Sequence, residues 1–359
     1  MNPTTEDLPL RKDLSMRQTT TLFALTLALF TLAMPQAAQA AKQVKPRVWL
    51  TGNAADSARQ PIGGPALLLM GGSTEVDAGF AQRAYPVANG GDIVILRTSG
   101  RDGYNDYLYN LVTGPLKPDS VETMLVDSRD KANSDYVDNA IRKAELIFIA
   151  GGDQSTYVNA WQGTRVEDAL HFAHARGAVI GGTSAGLAVM GEFVYDPDGI
   201  AGITSAEALA DPYDAGMMLS TDFLRFPIMD GIITDSHFAA RDRMGRTLAF
   251  MARLRQDGTA ASIAALAIDE QTSLFIDRNG VGTVDSNLGG AVYVIAERAD
   301  TVRTQVAPGQ PLAYRNLQRT RVDAGRFYDF ATHQHNGIGI VLSVDGRNAT
   351  APFAPTNPY

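Results

Sequence analysis

The chain of 359 residues contains no cysteine. That absence excludes disulfides, thiolate metal sites and a cysteine nucleophile together, so the fold must hold by packing alone. Histidine is scarce too, with five residues, which shortens any search for a catalytic base. Clustered positive charge of the kind that neutralises phosphates is not the rule here. A net charge of −8 and a pI near 5.2 speak against a nucleic-acid or anionic-membrane partner. There is no internal repeat and no low-complexity tract. With 45% hydrophobic and 19% charged residues, the composition is that of a globular chain with ample material for a core, and it argues against disorder. The apolar run from Leu22 to Met34 falls short of the ~20 residues a membrane span needs. It follows Met16-Arg17 and leads to Ala38-Gln39-Ala40, a small-x-small cleavage pattern. Residues 1–40 therefore read as a signal peptide, and the mature protein as exported, periplasmic or extracellular, and free of the membrane. An uncleaved anchor is the alternative.

What is present is an alternation of apolar and amphipathic segments, which predicts an α/β fold with a mostly parallel sheet. Strands are expected at Pro65–Met70, Asp92–Leu96, Val121–Val126 and Leu146–Ala150, with helices at Val76–Ala84 (closed by Pro86), Asn133–Ala144 and Ser155–Ala175. A hairpin is expected around Asp277-Arg278-Asn279-Gly280. Residues 41–288 form this domain. Residues 289–359 read as a β-rich extension of a few strands packed on the main sheet, assigned to capping or to self-association as a homodimer.

The organising stretch is Gly177 to Met190, where a buried strand ends at Gly182-Thr183-Ser184-Ala185-Gly186 and a helix begins. This is a G-x-S-x-G elbow, whose glycines leave room for a sharp reversal that exposes the serine hydroxyl. Gly151-Gly152-Asp153-Gln154 ends the preceding strand, predicted to lie beside the elbow strand. The amides of Gly152 and Ala185 are candidates for an oxyanion hole, and Gln154 for reaching over the cleft. A serine needs a base. His171 and His174 suit an exposed helix face, and His333 and His335 a late β-like surface segment. His237, in the strand end Asp235-Ser236-His237-Phe238, is the candidate. Arg241, Arg243 and Arg246 follow within a turn and a half. They would repel one another and depress the basicity of His237 unless they meet ligand anions or partner carboxylates, and they fit an acidic substrate. The orienting acid is expected at Asp269 or Glu270. The order Ser, His, acid differs from that of α/β-hydrolases. No metal or cofactor is called for.

These motifs, with Ile268-Asp269-Glu270, resemble in order those of the cyanophycinase family of serine peptidases, a group related to aspartyl dipeptidases. The resemblance covers about Pro65 to Thr272. It implies a three-layer flavodoxin-like fold like that of class I glutamine amidotransferases, with Ser184 as nucleophile, His237 as base and Glu270 as third member. It places Gln154, Asp235, Arg241, Arg243 and Arg246 along the substrate cleft. One position departs from the family: Ser236 stands where cyanophycinases typically carry glutamine before the histidine.

The substrate implied is cyanophycin, poly-aspartate bearing arginine on its side chains, released as β-Asp-Arg dipeptides. An acidic, arginine-bearing peptide or polymer suits the arginines as carboxylate clamps and Asp235 or another acid as a guanidinium holder. Two rivals remain open. One is an exported aspartyl or isoaspartyl peptidase of other specificity, and the other a binding protein of the same fold that has lost the chemistry.

Overall fold

The computed structural model describes residues 44–359, so the predicted signal peptide lies outside the described residues. In chain order the first half supplies β1 (Arg47–Gly52), β2 (Ala66–Met70), α1 (Tyr85–Ala88), β3 (Asp92–Arg97), α2 (Asn105–Asn110), β4 (Ser120–Leu125), α3 (Arg129–Ala132), α4 (Asp135–Lys143), β5 (Leu146–Ile149), α5 (Gln154–Trp161), α6 (Arg165–Arg176), β6 (Val179–Thr183) and α7 (Ala185–Ala188). The second half adds β7 (Val194–Tyr195), α8 (Ser205–Ala210), β8 (Leu219–Ser220), β9 (Ile232–Asp235), α9 (Met244–Gln256), β10 (Ala264–Ile268), β11 (Thr272–Ile276) and β12 (Val281–Ser286). It ends with β13 (Ala291–Gln305), β14 (Ala313–Asp323), β15 (Phe327–Asp329), β16 (Ile338–Asp345) and β17 (Phe353–Ala354).

The first sheet has nine strands in the order β1-β4-β3-β5-β6-β2-β11-β12-β15. Its middle, from β4 to β2, is parallel throughout, and β1, β11, β12 and β15 join antiparallel. The apolar run of β2 shows why it belongs in the centre. Leu67 and Leu69 face a core shared with α4, α5 and α6, while Ala66, Leu68 and Met70 face Phe80, Tyr85 and Leu108 on the other side. A strand covered on both faces carries no polar residue at either parity. As expected, β5 and β6 are neighbours, with Ile149 opposite Gly182, so the Gly151–Gln154 turn flanks the elbow.

A second sheet of six strands runs β17-β16-β14-β13-β10-β9. Of the strands beyond residue 288, β15 joins the edge of the main sheet beside β12, whereas β13, β14, β16 and β17 belong to this second sheet. The latter pair through β13 with β10, which itself runs parallel to β9. The described residues form one compact unit, and the two sheets share a core in which Leu67 and Leu69 meet Leu266, Ile268, Val292 and Val322. The remaining face of the second sheet packs on α8 and α9.

Two helices differ from expectation. The segment expected to stop at Pro86 is a π-turn, Gly79–Ala84, that runs on into α1, because a proline in the first turn of a helix sacrifices no hydrogen bond. The helix expected over 155–175 is two helices, α5 and α6, separated at Gly163 (φ 65). The break lets Trp161 turn inward, where it stacks on Tyr157 at 4.6 Å and donates to the Val126 carbonyl at 2.7 Å. Trp161→Ala removes a fully buried ring that anchors α5 beside the elbow. It is expected to cost about 3–5 kcal/mol, read as a lower urea midpoint at unchanged m-value.

Candidate active site

Ser184 sits between β6 and α7 at φ 52, ψ −112, a conformation a non-glycine residue adopts only under constraint. The constraint is close packing. A Cβ on Gly186 would lie 2.1 Å from the Ile149 carbonyl oxygen, and one on Gly182 would lie 2.5 Å from the Gly186 backbone. The Ser184 amide donates to the Met70 carbonyl at 3.1 Å, so the elbow is also tied to β2.

His237 comes from the other sheet, at the end of β9, and is also at positive φ (47°). Its amide donates to the Gly71 carbonyl at 2.8 Å, and the next amide, of Phe238, to the Ile268 carbonyl at 3.2 Å. Gly72 covers the imidazole so closely that a Cβ there would stand 2.4 Å from Cε1. The result is a continuous chain of hydrogen bonds. Ser184 Oγ lies 2.8 Å from His237 Nε2, and His237 Nδ1 lies 2.6 Å from Glu270 Oε1. Between the two acids left open by the sequence, geometry separates the roles. Glu270 faces the imidazole, whereas Asp269 accepts from the Ala239 amide (2.9 Å), the Ala291 amide (3.0 Å) and the Tyr293 hydroxyl (3.3 Å), fastening the histidine turn to β13.

Burial holds the His237 imidazole below the ordinary histidine range, Arg241 and Arg243 push in the same direction, and the hydrogen bond to Glu270 opposes them. The imidazole therefore stays neutral, and able to accept a proton, at a pH where an exposed histidine is already charged.

The arginine cluster divides in a way the sequence does not reveal. Asp235 is buried and fully engaged. Arg246 reaches its two oxygens at 2.9 and 2.6 Å, Arg243 at 3.2 Å, Thr247 at 2.9 Å and the Ser236 amide at 2.9 Å. Burial would raise its pKa, but Arg246 and Arg243 overcome this and keep it below the usual carboxylate range. Asp235 thus serves the protein's own arginines and has no oxygen to spare for a substrate guanidinium. Arg246 is correspondingly buried, over the Tyr195 ring at 5.0 Å, and is no free clamp. Arg243 is half-buried, with burial lowering its pKa to about 10, and it also donates to the Ser236 carbonyl at 2.8 Å. Arg241 is exposed and makes no ion pair among the described residues.

Around the serine lies a cleft of about 250 Å³ lined by Gly152, Asp153, Gln154, Ala185, Ser236, Arg241 and their neighbours. Ala185 opens α7, where first-turn amides lack an intrahelical partner. Gln154 donates to the Tyr195 carbonyl at 3.1 Å and so bridges the elbow side to the loop after β7. The end of β7 contributes Tyr195 and that loop Pro197 and Ile200, none of which carries a sequence signal. Gly71-Gly72, the covering turn, was legible as a strand end but not as part of the site. Of the other histidines, His333 and His335 are exposed, and His335 forms an isolated antiparallel bridge with Tyr328. His171 and His174 are not on an exposed face. They pack on Phe226 at 5.8 and 4.8 Å, and His171 Nε2 accepts the Arg225 amide. Among the described residues, no group of His, Asp and Glu converges as metal ligands.

Asp235→Ala would leave Arg246 buried without its counter-ion. The expected outcome is a loss of about 3–5 kcal/mol of stability, measured by chemical unfolding, in place of a selective loss of substrate affinity.

The model of peptidase family S51 matches residues 116–283, a span that contains Ser184, His237 and Glu270. A cyanophycinase from Geminocystis herdmanii is 29% identical over 286 residues, covering 75% of this chain and 95% of that protein. A cyanophycinase from Nostoc is 28% identical over 205 residues, covering 56% of this chain and 62% of that one. Among solved structures, a peptidase from an acI-B1 Actinobacterium superimposes with a TM-score of 0.49 at 14% identity, covering 75% of this chain and 98% of that one. The chain is accordingly a serine-type peptidase, similar over residues 116–283 to peptidase family S51 and over most of its length to a cyanophycinase.

Proposed function

We propose that the protein is an exported serine exopeptidase that hydrolyses cyanophycin to β-Asp-Arg dipeptides through Ser184, His237 and Glu270. The observation that carries the reading is the unbroken path from the Ser184 hydroxyl through the imidazole to the Glu270 carboxylate, at 2.8 and 2.6 Å. His237 Nε2 takes the serine proton as Oγ attacks the scissile carbonyl. Glu270 stabilises the imidazolium through Nδ1, and the amides of Gly152 and Ala185 receive the oxyanion. The imidazolium then protonates the leaving amine. Water, deprotonated by the same nitrogen, releases the acyl group and restores the serine. Export rests on the Met16–Ala40 pattern, and suits a polymer too large to be taken up intact.

The substrate class is supported by charges of both signs in the cleft. Arg241 is a cation free for a carboxylate, and Asp153, at the exposed rim, is an acid free for a guanidinium or amine on its Oδ2. The engaged state of Asp235 and the short side chain of Ser236 favour a second reading, an aspartyl or isoaspartyl peptidase acting on short peptides. A panel of insoluble cyanophycin, β-Asp-Arg peptides, isoaspartyl dipeptides and N-terminal aspartyl dipeptides separates the two.

Ser184→Ala is expected to lower kcat/KM on the preferred substrate by a factor on the order of 10⁴ or more, with the circular dichroism spectrum unchanged. Retained hydrolysis in that variant would remove the serine mechanism. In wild type, the acid limb of the kcat/KM profile is expected below the ordinary histidine value of about 6.5, because only the neutral imidazole is active and its pKa is depressed. Arg241→Ala removes one of the charges that depress it, so the limb moves to higher pH.

A further inference from the structure

The segment beyond residue 288 carries no motif, yet it delivers Tyr359 to the turn between His237 and α9. The Tyr359 hydroxyl accepts the Met244 amide at 3.1 Å and donates to Asp242 Oδ1 at 2.8 Å. Its ring packs edge-on against Phe238 at 5.5 Å and Tyr293 at 6.0 Å. Tyr359 is itself held from behind, because buried Arg319 on β14 donates to the main-chain oxygens of Pro358 and Tyr359, each at 3.1 Å. The turn it touches is constrained. Asp242 is at φ 47, and the amides of Arg241, Asp242 and Arg243 fold back on the carbonyls of His237, Ala239 and Phe238. Asp242 lies between Arg241 and Arg243, so fixing its side chain fixes the direction in which the neighbouring backbone presents Arg241 to the cleft.

We propose that Tyr359 is a positioning residue for substrate binding, holding the 238–243 turn so that Arg241 meets a carboxylate of an acidic peptide. This rests on the cleft of the proposed function being the substrate site, but not on Ser184 being the nucleophile. The β-rich segment is then part of the specificity apparatus and no mere cap.

Tyr359→Phe keeps the ring and removes both hydrogen bonds. Binding of an aspartyl-arginine dipeptide, measured by calorimetry in the Ser184→Ala background, is expected to weaken about three- to tenfold, the worth of roughly one hydrogen bond. With Ser184 intact, KM for the peptide cleaved in the panel rises by the same factor, kcat stays within about twofold, and the rate of Ser184 labelling by a fluorophosphonate is unchanged. In the Arg241→Ala background, Tyr359→Phe adds no further loss, because the two act through one contact. Unchanged affinity, or an undiminished effect of Tyr359→Phe without Arg241, overturns the proposal. So does a parallel fall in labelling rate and melting temperature, which marks a purely structural role. If the wild type resists labelling, the serine mechanism is lost while the calorimetric comparison still decides the role of Tyr359.

Discussion

Two sheets are stitched together at the backbone of Gly71, and the rest of the site depends on that stitch. The Gly71 amide donates to Thr272 at 3.0 Å, its carbonyl accepts the His237 amide at 2.8 Å, and a Cβ there would fall 1.9 Å from the Asp269 carbonyl oxygen. The strand ends after β2, β9 and β10 therefore lie against one another with no side chain between them. The elbow after β6, hydrogen-bonded to Met70, is brought to the same spot. Backbone strain accumulates where these ends meet: Ser184, His237 and Gln271 all have positive φ, at a cost of about 1–3 kcal/mol each. The two layers of core on either side of β2 over-determine the positions and offset that cost.

Charge follows the same economy of space. Three arginines next to a base would be self-defeating if all were free. Instead a single buried carboxylate, Asp235, neutralises two of them and joins the end of β9 to α9. What reaches the cleft is one exposed guanidinium, on Arg241. Few charged groups of the cleft are thus left unengaged, and the remaining polarity holds its own walls.

The candidate site was legible where it depends on local pattern. The G-x-S-x-G elbow, the histidine at a strand end and the pair Asp269-Glu270 each carry a spacing that a strand-to-turn transition demands, and the parallel alternation predicts which ends are adjacent. Three features depend on non-local partners, and no spacing encodes them. Asp235 lines the cleft, as the resemblance implies, but its engagement by Arg246 and Thr247 of α9 is not visible in the spacing. Apolar alternation says that strands exist in residues 289–359 but not which edge receives each; the edge of β12 takes β15, and the open edge of β10 takes β13. The break between α5 and α6 was hidden because Gly163 is one weak signal inside a long apolar-periodic run, whereas the Trp161–Val126 contact that rewards the break joins residues 35 apart.

The pairing of β13 with β10 has a kinetic corollary. The elbow and its neighbours are built from contacts within the first half of the chain, but the imidazole turn leans on β13 through Asp269 and on a residue 115 positions beyond Met244. Contacts of such span close late. The strands β1 to β6 by themselves hold Ser184 with neither His237 nor Glu270 beside it, so the contact between the three side chains exists only in a molecule whose later strands are in place.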